Sequence, residues 1–212
     1  MRGPLGRGCP QRGVQGAGQP VVGAVAAPVV VLTPVFDLDG TLLDSDAALA
    51  APYVALGVPA DEVTFGHVVA EECERLGLSV DDYVSRYDVD AARPFAGVDE
   101  LVRSLEVWAV CSNKVRAAGS AELARLGWSP AVAWFAEDFG GGAKRLGPVL
   151  EALGVRGADV VFVGDTDHDR SCASAVGARF ALAAWNPRAA PLAVDGDVVL
   201  SAPADLLALL SG

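Results

Sequence analysis

The sequence predicts an α/β protein: a doubly wound parallel sheet, interrupted after its first strand by a small all-helical segment. Three observations carry the prediction. Short apolar runs at 29–32, 107–111, 131–135, 160–163, 179–184 and 198–200 alternate with stretches of helical character. Such alternation means parallel strands joined by crossover helices on both faces. Several of the runs are apolar throughout, as in strands buried on both sides. Residues 46–92 break the alternation and carry only helical signals. A chain of 212 residues fits one core with such an insertion. The expected organisation is a tail over 1–28, a core over 29–45 and 93–212, and a helical segment over 46–92.

Residues 1–28 are rich in Gly, Pro, Gln and Arg. They hold too little apolar surface to offset the entropy of ordering, so the tail is expected to be disordered. A leader peptide with its apolar stretch between Val21 and Leu32 is the competing reading. It is disfavoured, because a small-residue site at Ala24, Val25 and Ala26 would leave little of that stretch upstream. The apolar residues Val29 to Leu32 lead straight into Val35-Phe36-Asp37-Leu38-Asp39-Gly40-Thr41-Leu42-Leu43-Asp44-Ser45. Asp37 and Asp39 are two apart, so an extended backbone points both to one face. Like charges that close need a cation or a shared proton.

Asp44 or Ser45 can cap a first helix carrying Ala47, Leu49, Ala50 and Val54, stopped at Gly57 and Pro59. A second helix is expected over 61–76, with Val63, His67, Val68 and Cys73 on one face and Gly77 at its end. His67 is then a packed residue. Ser79, with Asp82 three residues on, opens a short third helix in capping-box style. This segment carries nine acids from Asp61 to Asp90 against Arg75 and Arg86, read as a solvated face. Alternation then resumes: a helix over 99–105, the strand 107–111 ending in Ser112-Asn113-Lys114, a helix to Gly127, the strand 131–135, and a helix opened by Lys144. The strand 160–163 ends in Gly164-Asp165-Thr166-Asp167-His168-Asp169, and a helix runs from there to Gly177. Strands at 179–184 and 198–200 and a helix over 204–210 complete the chain.

Ligands of open α/β sheets bind at the carboxyl ends of the strands. Here those ends carry an acid pair, a hydroxyl and an amide, a lysine, and a second acid pair. Hard oxygen ligands of this kind suit Mg²⁺, which takes one or two carboxylates and leaves room for phosphate oxygens. A carboxylate can attack phosphorus. A second carboxylate two residues on can protonate the leaving alcohol.

The four clusters resemble, in order, the four motifs of the haloacid dehalogenase-like (HAD) hydrolases, over residues 29–190. The first, through Asp44 and Ser45, is similar to the phosphoglycolate phosphatase-like branch. The resemblance implies a HAD-like Rossmannoid core with a helical cap over 46–92, where specificity resides. It implies a Mg²⁺-dependent phosphatase acting on a small phosphorylated metabolite. Asp37 is then nucleophile and metal ligand; Asp39 is general acid/base and ligates metal through its backbone carbonyl. Asp165 is a metal ligand, supported by Asp169 and Thr41, and Ser112, Asn113 and Lys144 hold the phosphate. Lys144-Arg145 departs from the usual Lys-Pro of the third motif, and Lys114 is a rival for its lysine. A haloacid dehalogenase would lack Asp39. A phosphomutase of the β-phosphoglucomutase type would keep both acids. A catalytically idle binding domain would have lost one of the motifs. A receiver domain would lack Asp-x-Asp-Gly-Thr and the insertion.

The net charge is −11, and residues 1–36 contribute only Arg2, Arg7 and Arg12 to it. So acidic a body disfavours nucleic acid. No apolar run approaches the roughly 18 residues of a membrane span. Cys9, Cys73, Cys111 and Cys172 are scattered and have no metal spacing. Cys111 and Cys172 read as small core residues, and the expected compartment is the reducing cytoplasm. His168, between two acids, reads as a solvated helix-start residue.

Overall fold

The computed structural model describes residues 32–211. The tail expected over 1–28, and Val29 to Val31 of the first apolar run, lie outside the described residues. Six parallel strands form the main sheet in the order β5-β4-β1-β6-β7-β8. They are β1 Thr33–Phe36, β4 Ala109–Cys111, β5 Val132–Trp134, β6 Val160–Gly164, β7 Arg179–Ala183 and β8 Val198–Leu200. β1 lies between β4 and β6, in register Val35 to Ala109 and Val35 to Phe162.

Alternation along each strand builds two apolar layers. Phe36, Val110, Val161 and Val163 face one layer with Trp108 and Trp128. Helices α4 Val98–Ser104, α5 Arg116–Leu126 and α8 Asp205–Ser211 cover it through Leu101, Leu123 and Leu206. Val35, Cys111, Val160 and Phe162 face the other. Helices α6 Leu146–Leu153 and α7 Asp167–Ala175 cover that layer through Val149, Leu150, Cys172 and Ala173. This is the doubly wound parallel sheet that the sequence predicts.

A two-stranded antiparallel ribbon, β2 Leu43–Asp44 with β3 Arg93–Pro94, was not legible in the sequence. Between its strands lie α1 Asp46–Ala55, α2 Val69–Leu76 and α3 Val80–Arg86. They pack on an apolar cluster of their own: Tyr53, Val63, Val69, Cys73 and Tyr83.

Local expectations fail in four places here. Helix α1 buries Ala48, Pro52 and Tyr53 rather than the face carrying Val54, which is 48% exposed. The Ser45 hydroxyl donates to the Leu43 carbonyl instead of capping α1. Ser79 caps α3 by accepting from the Asp81 amide, with no reciprocal bond from Asp82. The expected helix over 61–76 begins only at Val69, after a single 3₁₀ turn at Ala60–Glu62. Gly66, at φ +89°, breaks it. Glu72 holds the intervening loop, accepting from the Thr64 amide at 2.8 Å and the Thr64 hydroxyl at 2.9 Å. His67 is therefore an exposed loop residue, not a packed helical one.

Candidate active site

Strand β1 ends at Phe36, and the chain turns at once. The Asp37 amide still donates to the Val163 carbonyl, which places Asp37 at the carboxyl edge of the sheet. Gly40, at φ +77°, lets the turn pass against the β6 loop. A Cβ there would lie 2.3 Å from Asp165 Oδ2. The loop after β7 ties the turn down: Asn186 Nδ2 donates to the Gly40 carbonyl at 2.8 Å and Trp185 Nε1 to the Thr41 carbonyl at 2.9 Å.

The acid pair is divided between two lysines. Lys144 Nζ lies 2.7 Å from Asp37 Oδ1 and 2.7 Å from Asp169 Oδ1. Lys114 Nζ donates to Asp39 Oδ1 at 2.7 Å and lies 2.8 Å from Glu122 Oε2. The two lysines are therefore not alternatives for one place. Lys144 does not open helix α6. It precedes it, buried, with its amide donating to Asn113 Oδ1 at 2.7 Å. Burial works to lower the Lys144 pKa, but the Asp169 and Asp37 carboxylates more than reverse this and hold it well above the usual value.

Strand β6 delivers the second acid pair. Asp169 is immobilised: its Oδ2 accepts from the Asp165 amide, the Thr166 amide and the Thr166 hydroxyl, closing a capping box at the start of α7. Asp165 is left facing the cavity edge, with Thr41 Oγ1 donating to Oδ1 at 3.2 Å and Arg188 Nη2 to Oδ2 at 2.9 Å. Carboxylate oxygens of Asp37, Asp165 and Asp169 lie within 4.8 Å of one another. Burial pushes the Asp37 carboxyl up to about 6 against the pull of Lys144, with the Asp169 charge adding to the rise. Asp165 goes to about 8, by burial first and then by the charges of Asp37 and Asp169. Crowded, desolvated carboxylates of this kind favour a bound cation. The donors are all hard oxygens, with Asp37 and Asp165 left after Asp169 is spent on the α7 cap, so the set fits Mg²⁺.

Ser112 and Asn113 end β4 at the same edge. The Ser112 hydroxyl accepts from the Lys114 amide at 3.2 Å, and Asn113 Nδ2 donates to the Gly66 carbonyl at 3.1 Å. Asp37, Asp39, Ser112, Asn113, Lys144 and Asp165 all line one cavity of about 50 Å³. Phe65, Gly66 and His67 of the α1–α2 loop line its other side. Thr41 and Asp169 stand behind it, in contact with Asp165. His168 is at the start of α7 but half-buried, its Nε2 3.3 Å from the Lys144 carbonyl. Cys111 and Cys172 are buried, as expected of core residues.

Sequence reasoning missed three neighbours. Arg188 grips Asp165 and Asp46 together and lies over the Phe65 ring. Glu122 is fully buried on α5 beneath Lys114. Tyr87 donates its hydroxyl to Glu122 Oε1 at 2.6 Å and accepts from Lys114 at 2.8 Å. The one available signal was a lone acid, Glu122, on the apolar side of a helix beside Leu123.

The fold and the cavity place the chain in a class, and comparison with known proteins agrees. The structure resembles a HAD-like family hydrolase from Streptococcus pneumoniae, with a TM-score of 0.64, 18% identity, and coverage of 85% of this chain and 98% of that one. It also resembles a candidate phosphoglycolate phosphatase from Lactobacillus delbrueckii subsp. bulgaricus, with a TM-score of 0.69, 21% identity, and coverage of 86% and 99%. No family model matches the chain. In sequence it is 30% identical over 207 residues to a phosphoglycolate phosphatase of Xanthomonas campestris pv. campestris, covering 81% of this chain and 92% of that one. A phosphoglycolate phosphatase of Xylella fastidiosa is 28% identical over 207 residues. The chain belongs to the haloacid dehalogenase-like hydrolases, in their phosphoglycolate phosphatase-like branch.

Proposed function

We propose that this hydrolase is a Mg²⁺-dependent phosphatase acting on a small phosphomonoester through an aspartyl-phosphate on Asp37. The observation that carries the reading is the meeting of Asp37, Asp39, Ser112, Asn113, Lys144 and Asp165 around one cavity at the strand ends. Asp37 attacks phosphorus, and the bond from phosphorus to the ester oxygen breaks. Protonated Asp39 gives its proton to the departing alkoxide. Water then attacks the phospho-enzyme, losing its proton to Asp39 as the bond from phosphorus to Asp37 breaks, and inorganic phosphate leaves. Lys144, the Ser112 hydroxyl and Asn113 neutralise and orient the phosphoryl oxygens. Asp37, Asp165 and the Asp39 backbone would hold Mg²⁺, with Asp169 and Thr41 in support; the ion would neutralise charge on the phosphoryl group. Residues 46–92 act as a cap that excludes water, through the loop Asn113 holds at Gly66. The retention of every motif favours turnover over an idle binding domain.

The test is hydrolysis of p-nitrophenyl phosphate with Mg²⁺ and after chelation. Phosphate release that depends on Mg²⁺ is expected. No release in its presence would refute the reading.

A further inference from the structure

A second cavity, of about 130 Å³, lies between the 46–92 segment and the start of α5. It shares Leu49, Val69 and Lys114 with the walls of the catalytic cavity. Its remaining walls include Tyr83, Val84, Tyr87, Val89, Val115 and Ala118. The polar atoms along it are already engaged. The Tyr83 hydroxyl donates to the Leu49 carbonyl at 3.3 Å, and the Tyr87 hydroxyl bridges Lys114 and Glu122. What this cavity offers a ligand is aliphatic and aromatic surface.

The two lysines lining the catalytic cavity are equally committed, and Arg188, 36% exposed, is shared between two acids. Lys144 is paired with Asp37 and Asp169, Lys114 with Asp39 and Glu122, and Arg188 with Asp46 and Asp165. Lys144 serves the phosphoryl group. A carboxylate on the alcohol half of a substrate would meet Lys114 only by displacing a buried partner, and would face Asp39 and Asp46 besides. Burying an unpaired charge there is unfavourable, whereas burying methylenes is favourable.

We infer that this second cavity is the leaving-group subsite, and that it selects phosphomonoesters of uncharged, largely apolar alcohols over phosphorylated hydroxy acids. The inference rests on the phosphatase reading above and deepens it. Each methylene buried in the cavity should raise kcat/KM about fourfold.

The experiment compares methyl phosphate, n-butyl phosphate and 2-phosphoglycolate on the full chain with Mg²⁺, and repeats the comparison in Ala118→Leu, which fills the cavity. The expected result is an n-butyl to methyl ratio of kcat/KM well above ten, with 2-phosphoglycolate below n-butyl phosphate. In Ala118→Leu that ratio should fall by at least tenfold. Ala117→Leu, at an exposed helical position on the same wall, serves if Ala118→Leu does not fold. A preference for 2-phosphoglycolate, or an unchanged ratio in a folded cavity-filling variant, would overturn the inference. Turnover of none of the three, with no hydrolysis of p-nitrophenyl phosphate either, would instead sink the phosphatase reading. The cavity is then read by calorimetry with n-butylphosphonate and methylphosphonate. Tighter n-butylphosphonate binding that Ala118→Leu abolishes supports the apolar subsite, and equal affinities overturn it.

Discussion

Gly40 shows how narrowly single residues define this site. Its positive φ costs an L side chain about 1–2 kcal/mol, and a Cβ would collide with Asp165. Gly40→Ala is therefore expected to lower Tm and to remove most of the activity, as melting and phosphate release would show; wild-type values for both would contradict the placement of Asp165 against this turn. The residues proposed to carry the chemistry were legible as candidates because Asp37, Asp39, Ser112 and Asp165 follow apolar strands in a fixed order, with Lys144 in the loop before α6. Their partners were not. Arg188 reaches Asp165 from 23 residues away and Asp46 from 142 away, and Glu122 finds Lys114 through the packing of α5. Nothing local marks such long-range pairs. The rivalry between Lys114 and Lys144 dissolved for the same reason, since each proved to hold a different acid.

Among the elements, the strands of the sheet were the most legible, because a strand buried on both faces writes itself as an unbroken apolar run. The helix expected over 61–76 was misjudged. Its periodicity is real only from Val69, and the Thr64–Glu72 bonds with Gly66 turn the preceding stretch into a loop over the cavity. Helix α5 is tied to the 46–92 segment by Lys114, Glu122 and Tyr87. Removing one partner of a buried pair is far worse than removing both. Lys114→Met is expected to destabilise by about 3–5 kcal/mol in urea melts, and Lys114→Met/Glu122→Leu to recover at least half of that. Additive losses would contradict a coupled buried pair.

At the scale of the whole molecule, the acid cluster links stability to pH and, through the proposed Mg²⁺ site, to metal. Burial raises Asp37 and Asp165 from an ordinary 3.8 to about 6 and about 8. The metal-free folded state then binds more protons than the unfolded chain between about pH 4 and 8, so its stability falls as pH rises through that window. Mg²⁺ held by both carboxylates, as proposed, would require them ionised, so its affinity should rise over the same window. Melting without metal is expected at a lower Tm at pH 8 than at pH 5.5, and the Tm gained on adding Mg²⁺ should be larger at pH 8. A Tm gain that shrinks with rising pH would contradict a site built on these acids. Among the described residues no helix is long and apolar enough to cross a membrane.

The central claim, that Asp37 is the nucleophile of a cavity assembled from three distant strand ends and the loop before α6, is tested most directly by Asp37→Asn. The account predicts that p-nitrophenyl phosphate turnover falls by roughly 10³-fold or more while the circular dichroism spectrum and a cooperative melt are retained. Turnover at the wild-type rate in the folded variant would contradict it.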